Sequence, residues 1–442
     1  MAKSGGPTVG LDIGSKHIKV AELVPGRNGP VLRALGVAPT PAESMENSVI
    51  VDPQLLGQAV KKLLKESGIS TKNSVSSLSG QTALVVRVIE VPRMSESELA
   101  ETMKWEVERH VPFAASEVIM DFQPIEREDT PPDSQNMEVL LAVAQQDMVD
   151  RHVEMLFAAG LSPSAIDVEP LAVSRSLVEL GPDPYGQRTV AIINIGASNT
   201  DIGIFRNGIL AFPRTLPLAG DSLTRAIAAQ MGVTEEQAEE LKLKYGEVIM
   251  DQPIQQAVPP ADAFLDFGAQ PTQEEAQQPA APMPFDFSSA TTEPAQPAEA
   301  PAFDLGEEPA EQSQVPAPTA QHDPTTLQVF SAMAPVLGEL LTELRRSLEY
   351  YRGRTADGQI DEILLCGGSS RLKGLAEFLS SELQIPARVA DPLQYVTVNA
   401  RNFSSEYLAE LAPSLAVAIG LAARDMVAVP GPAGGAKRGK RK

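Results

Sequence analysis

Val9-Gly10-Leu11-Asp12-Ile13-Gly14-Ser15, running into Ile18-Lys19-Val20, decides the fold because it returns 182 residues later. There Val190-Ala191-Ile192-Ile193-Asn194-Ile195-Gly196-Ala197-Ser198-Asn199-Thr200-Asp201 leads into Ile202-Gly203-Ile204-Phe205. Each copy is an apolar strand, an Asp or Asn, Ile-Gly, a small residue and a second strand. An echo at the spacing of a domain predicts two related halves. Glycine lets the backbone come close to a ligand, and the N–H groups of a tight turn with the Ser15 or Ser198 hydroxyl point at anionic oxygens. Asp12, at a strand end, can hold Mg2+ directly or through water. Two such hairpins facing each other would grip a phosphate group from both sides.

A third turn, Leu365-Cys366-Gly367-Gly368-Ser369-Ser370-Arg371, follows an apolar strand and opens a helix through Gly374 and Leu375. Its glycine pair lets a planar ring or a phosphate approach the helix N-terminus. Any one of these turns resembles an ordinary strand–helix corner. Three in order, across two similar halves, point to a nucleotide cleft.

Between the turns the chain reads as alternating strands and helices, an α/β class. Leu55, Leu56, Ala59, Leu63 and Leu64 share a helical face that Gly68 ends, and Thr82–Pro92 reads as a strand. Ser95 with Glu98, and Thr234 with Gln237, make capping boxes that start two further helices. Apolar residues at 327, 330, 334, 337, 341, 344, 348 and 351 predict a long helix with a core-facing stripe, kinked or broken at Pro335.

Composition narrows the function. With 36 Lys+Arg against 58 Asp+Glu the net charge is −22, which excludes non-specific nucleic-acid binding. One cysteine, Cys366, excludes an intramolecular disulfide and a cysteine-rich zinc site. His17, His110, His152 and His322 form no ligand-spaced pair. No apolar run approaches the roughly 18 residues of a membrane span, and the N-terminus has no signal-peptide core, so a cytoplasmic protein is expected. Residues 251–325 hold 14 of the 37 prolines and 13 acidic groups with no Lys or Arg, the composition of a disordered insertion. Its Phe264-Leu265-Asp266-Phe267, Phe285-Asp286-Phe287 and Phe303-Asp304-Leu305 patches are either docking motifs or residual stickiness. A short basic, glycine-rich tail closes the chain at 434–442.

The three turns resemble the actin-like ATPase superfamily, in which two phosphate hairpins and a Gly-Gly adenosine turn line a cleft between two lobes. Ala238-Glu239-Glu240-Leu241-Lys242 resembles the helix whose Glu and Lys contact the ribose and adenine side. Val168-Glu169-Pro170-Leu171-Ala172 resembles the first connecting helix, where a Glu orients the attacking water, and Leu415–Gly420 the second, at the hinge. Val91-Pro92-Arg93-Met94, then Trp105-Glu106 through Pro112-Phe113, then Glu117-Val118 and Asp121-Phe122, resemble the small inserted subdomain of the PilM family of type IV pilus assembly proteins. Trp105 itself reads as packing.

The resemblance implies first-lobe segments at 1–80 and 166–188, an inserted α+β subdomain at 81–165, and second-lobe segments at 189–250 and 326–428. The insertion at 251–325 and a flexible tail at 429–442 complete the chain. It implies ATP with Mg2+ bound by Asp12, Gly14, Ser15, Lys19, Asn194, Gly196, Ser198, Thr200, Glu239, Lys242, Gly367, Gly368 and Ser369, with Glu169 as candidate catalytic residue. Lys19 points either to phosphate or to solvent. Asn194 replaces the Asp of hydrolytic relatives, so slow or absent turnover is expected. The implied partner is the cytoplasmic N-terminal peptide of a PilN-type membrane protein, which supplies the attachment to the inner membrane. Other platform proteins, pilus motor ATPases and a second copy of the chain are further candidate partners. The competing resemblance is to FtsA-like cell-division tethers, which end in an amphipathic membrane helix; Val427–Pro432 cannot form one. An actin-like scaffold without nucleotide is the third reading.

Overall fold

The computed structural model of the chain describes residues 6–27, 29–80, 83–111, 113–127, 134–182, 186–250, 322–355, 358–399 and 403–427. The expected insertion, up to residue 321, and the basic tail lie outside the described residues.

The first quoted stretch opens an antiparallel meander of β1 (Thr8–Ile13), β2 (His17–Gly26) and β3 (Gly29–Pro39). A short hairpin of β4 (Met45–Glu46) and β5 (Val49–Ile50) leads into α1 (Pro53–Glu66). Asp52 caps α1 by accepting from the Leu55 N–H, and its buried stripe includes Leu56, Val60, Leu63 and Leu64. Leu55, expected on that face, is exposed, because one residue turns the helix by about 100° and Val60 takes the buried position instead. β6 (Asn73–Leu78) then runs parallel to β1.

A separate small sheet follows, from β7 (Leu84–Pro92), α2 (Glu96–His110), β8 (Val118–Ile125) and β9 (Asn136–Gln145), in the order β7-β9-β8. The Ser95–Glu98 capping box starts α2 as expected, and Leu99, Met103 and Val107 pack on Val139, Leu141 and Val143. Trp105 faces away from that core and is 71% exposed, because the helical period assigns the buried side to 99, 103 and 107. It does not pack, contrary to expectation. α3 (Gln146–Ala158) and β10 (Ser162–Val168) rejoin the first sheet, where Met155 and Leu161 share a core with Val9 and Leu11. The small sheet therefore uses Leu84–Gln145, and the expected limit at 165 falls inside β10.

The second half repeats the first. After α4 (Glu169–Ser174), whose end is wound as a π-helical turn, come β11 (Thr189–Ile195), β12 (Thr200–Arg206) and β13 (Ile209–Leu216). Then follow α5 (Gly220–Met231), α6 (Glu235–Tyr245), α7 (Pro324–Arg354), β14 (Glu362–Cys366), α8 (Leu375–Leu383) and β15 (Ala387–Val389). β16 (Thr397–Val398), α9 (Ser405–Leu411) and α10 (Ala416–Ala422) complete the described chain. The sheet orders are β10-β6-β1-β2-β3-β16 and β13-β12-β11-β14-β15. In each, an antiparallel meander is extended by parallel strands beside its first strand, so the echo in sequence is an echo in topology.

α7 departs from the expected break. It starts at Pro324 under an Asp323 cap, inside the segment read as insertion, and continues through Pro335. Val329, Phe330 and Met333 before the proline, and Leu337, Leu341 and Leu344 after it, are all buried in the second-lobe core, which holds the helix together across the lost hydrogen bond. By length and composition α7 is apolar enough to cross a membrane; its apolar stripe instead packs on the five-stranded sheet's core.

α4 and α10 cross where the halves join. A Cβ at Gly420 would lie 1.7 Å from the Ala172 carbonyl oxygen of α4. One at Gly10 of β1 would lie 2.0 Å from the Ala418 carbonyl oxygen. Two glycines thus let β1, α10 and α4 stack backbone on backbone.

Candidate functional site

All three turns open into one cavity of about 1120 Å3 between the two large sheets. Every expected site residue lines it except Thr200. The Thr200 side chain is fully buried and donates to the Leu218 carbonyl at 2.7 Å, so it braces the second hairpin from behind. The backbone between β13 and α5 takes its hydroxyl.

The two hairpins close alike, with Gly14 N–H donating to the His17 carbonyl at 3.1 Å and Gly196 N–H to the Asn199 carbonyl at 2.9 Å. Strand register then pairs Asp12 with Lys19 and, in the repeat, Asn194 with Asp201. The Lys19 ammonium lies 2.9 Å from Asp12 Oδ2 and is only 15% exposed, so Lys19 points into the cleft. Asp201 was not among the expected residues. The echo carried the signal, since it stands seven residues after Asn194 as Lys19 stands seven after Asp12.

Asn194 Nδ2 donates to Glu169 Oε2 at 3.2 Å, and Thr215 Oγ1 donates to Asp201 Oδ1 at 2.5 Å. Burial, then the neighbouring Asp201 and Asp12 carboxylates, pushes Glu169 well above the usual carboxyl range. Burial also raises Asp201. Beneath them Cys366 is raised by burial and by the same two acids, so it carries no thiolate. On the other side His17 is lowered by burial and by Lys19 and Arg371, and stays neutral.

The third turn abuts the second hairpin. Gly367 adopts φ 88°, and a Cβ there would sit 2.3 Å from the Ile195 carbonyl oxygen. Ser369 Oγ donates to the Gly196 carbonyl at 2.7 Å. A single 3-10 turn, Gly368–Arg371, precedes α8, which starts at Leu375 behind Gly374, where the helix was expected. On α6, started by the Thr234–Gln237 capping box, Lys242 reaches Glu239 at 2.7 Å, Thr224 Oγ1 at 2.7 Å and the Gly220 carbonyl at 3.1 Å. Burial opposes ionisation of Glu239, but hydrogen bonds from Lys242 and Thr224 outweigh it and hold the carboxyl below its ordinary value.

The halves also touch across the cleft. Ser198 Oγ donates to Ser15 Oγ at 2.8 Å, Lys16 lies 3.5 Å from Asp221, and Asn199 Nδ2 donates to Ser48 Oγ at 3.0 Å. Ser48 sits in the β4–β5 turn, where Asn47 and Ser48 both have positive φ, 49° and 66°, as a two-residue hairpin turn of this hand requires.

The raised acid has a testable consequence. Below the unfolded carboxyl value Glu169 is protonated in both states; as pH rises, the unfolded chain ionises first, so Glu169 withdraws stability up through its higher folded value. Glu169→Gln, which never ionises, is expected to melt several degrees higher than the parent at pH 7.5 without ligand, with the gain vanishing near pH 4. Thermal scans across that range check it; an equal gain at both ends would locate the cause elsewhere.

The type IV pilus assembly protein PilM family model matches residues 10–249, and the cell division protein FtsA model matches residues 191–420. Among solved structures, the PilM–PilN type IV pilus biogenesis complex is 28% identical, covering 96% of this chain and 99% of that chain, with a TM-score of 0.71. FtsA of Streptococcus pneumoniae serotype 2 (strain D39 / NCTC 7466) is 28% identical over 269 residues, 56% of this chain and 57% of that protein. FtsA of Bacillus subtilis (strain 168) is 24% identical over 265 residues, 55% and 59%. The chain thus spans under two thirds of the length of these curated relatives. The fold is that of the actin-like ATPases, two related α/β halves around a cleft. Because the pilus family model runs from the first hairpin through the small sheet to α6, over more than half of the sequence, the chain belongs to the PilM family of type IV pilus assembly proteins.

Proposed function

We propose that this chain is a nucleotide-binding cytoplasmic component of the type IV pilus assembly platform, held at the inner membrane by a PilN-type membrane protein. The convergence of two hairpins and a Gly-Gly turn on one cavity carries the nucleotide reading. ATP is the proposed ligand, its phosphates between the Gly14–Ser15 and Gly196–Ser198 turns and its base and ribose toward Lys242, Glu239 and Gly367–Ser369.

Among the described residues no group of three His, Cys, Asp or Glu side chains could form a metal cage. A single carboxylate, Asp12, fits Mg2+ that arrives with phosphates and keeps its waters. The metal would supply neutralisation of phosphate charge. Asn194 adds no negative charge and its amide restrains Glu169, so hydrolysis is slow or absent and ATP serves as a conformational ligand.

The peptide part rests on the small sheet. α2 covers one face; on the other Leu140 packs against the core where the halves join, which leaves Val86, Val88 and Ala142, half-buried, and the exposed Ile119. β8 has no strand partner on its outer edge among the described residues. An extended peptide can take such an edge and face together. Other platform proteins and motor ATPases are proposed as further contacts of the assembly.

Calorimetric titration tests both parts. Mg-ATP is expected to bind at micromolar Kd or tighter with little phosphate release, and a synthetic PilN-type N-terminal peptide to bind as well. Asn194→Asp should speed phosphate release by about tenfold. If neither ligand bound, the reading would reduce to an actin-like scaffold.

A further inference from the structure

The small sheet is joined covalently to the first half, through β6 before it and α3 after it, yet it also grips the second half. β7 packs along β13, Leu140 of β9 packs on the cluster that holds Leu210, and Arg127, just past β8, adds the polar tie between the two. Its Nε pairs with Glu138 of β9, and its Nη2 donates to the Leu210 carbonyl of β13 at 3.0 Å. The side chain is only 8% exposed, and its remaining nitrogen, Nη1, is buried without a partner. β13 is the edge strand of the five-stranded sheet, so the Leu210 carbonyl lies on a strand with one unpaired side. The ladder is already irregular there, since pairing steps from Ile204–Phe212 to Phe205–Leu210.

The same strand reaches the cleft. Thr215, five residues along β13 or roughly 17 Å at strand rise, donates to Asp201 in the floor beside Glu169. β13 therefore touches the cleft acids at one end and the small sheet at the other. The Leu210 side chain shares a buried cluster with Ala172 and Val173 of α4 and with Ala416 and Leu421 of α10, so a shift at that crossing reaches the contact through packed side chains. Arg127 cannot yield gradually. It already leaves one buried nitrogen unpaired, and losing Leu210 would leave two.

We propose that Arg127 is a strut that couples the cleft to the small sheet through β13, so that ligand binding in the cleft is read out at the sheet's docking face. The proposal rests on the nucleotide reading of the cleft for its ligand, but the mechanical link does not. Coupling of this kind is reciprocal, so removing the strut must also be felt at Asp201.

Hydrogen–deuterium exchange on the full chain, parent against Arg127→Met, tests it; methionine keeps the apolar stem and loses the guanidinium. Glu138→Gln, which weakens the ion pair and leaves Arg127 in place, is a milder second variant expected to fall between the two. With Mg-ATP added, the parent should show slower exchange at both hairpins and an exchange change of at least about fivefold in β7 and β9. In Arg127→Met the hairpins should be protected equally and the small sheet should not respond. A response of the sheet that survives in Arg127→Met, or its absence in a parent whose hairpins are protected, overturns the strut. If Mg-ATP protects neither hairpin, the nucleotide reading fails, and the ligand-free comparison decides. There Arg127→Met must speed exchange at Thr200–Asp201 as well as in the small sheet, and unchanged exchange at Thr200–Asp201 overturns the coupling.

Discussion

Asp12→Ala is expected to weaken ATP binding in the presence of Mg2+ on the order of 100-fold, while leaving binding in EDTA nearly unchanged. The first number comes from the metal: the carboxylate available to a Mg-phosphate complex at the first hairpin is lost, and a loss of about 100-fold corresponds to about 2.8 kcal/mol at about 1.4 kcal/mol per tenfold. The second number has a different origin. A freed Lys19 already points into the cleft and can meet a phosphate oxygen directly, which compensates where no metal is present. Calorimetry with and without chelator separates the two. Equal losses in both conditions would mean that Asp12 acts by positioning Lys19 and not through a metal. The ligand-free variant should also melt lower, because the ammonium then has no counter-charge.

Gly420→Ala should destabilise the fold by about 3 kcal/mol or more, above most single overpacking substitutions. The added carbon would stand 1.7 Å from the Ala172 carbonyl oxygen, and both partners are helix backbone, which cannot rotate away as a side chain can. α10 cannot retreat either, since Gly10 of β1 lies against its opposite side, with a Cβ there meeting the Ala418 carbonyl oxygen at 2.0 Å. The helices must part, and every apolar contact between the two halves parts with them. Gly353→Ala in α7 is the control: nothing lies within 4 Å of its Cβ, and alanine there should be neutral or stabilising by up to about 1 kcal/mol. Urea denaturation of the pair measures the difference. If Gly420→Ala unfolded with the parent, the crossing would not be the rigid pivot of the molecule.

What the sequence determined by itself was everything whose cause is local. The two hairpins follow from Ile-Gly between apolar strands, and the starts of α2 and α6 follow from Ser95–Glu98 and Thr234–Gln237. The stripe on α1 follows from helical period. The echo of Asp12 by Asn194 also announced the duplicated topology, because like patterns fold alike wherever they stand.

The tertiary structure decided whatever depended on which side of an element meets a neighbour. Strand alternation left Lys19 free to face either way until the sheet placed it beside Asp12. Thr200, on a hairpin strand, spends its hydroxyl on Leu218 behind the turn, while Asp201, its neighbour, takes the cleft. Pro335 breaks a helix on local rules, yet core contacts on both sides of it outweigh one missing hydrogen bond. Packing takes Glu169 and Asp201 away from water, which raises both, and sets Asp201 and Asp12 beside Glu169, which raises Glu169 further. Residues 169 and 201 stand on separate elements, and no local pattern relates their charges; burial and proximity are properties of packing, and packing is settled by the whole chain.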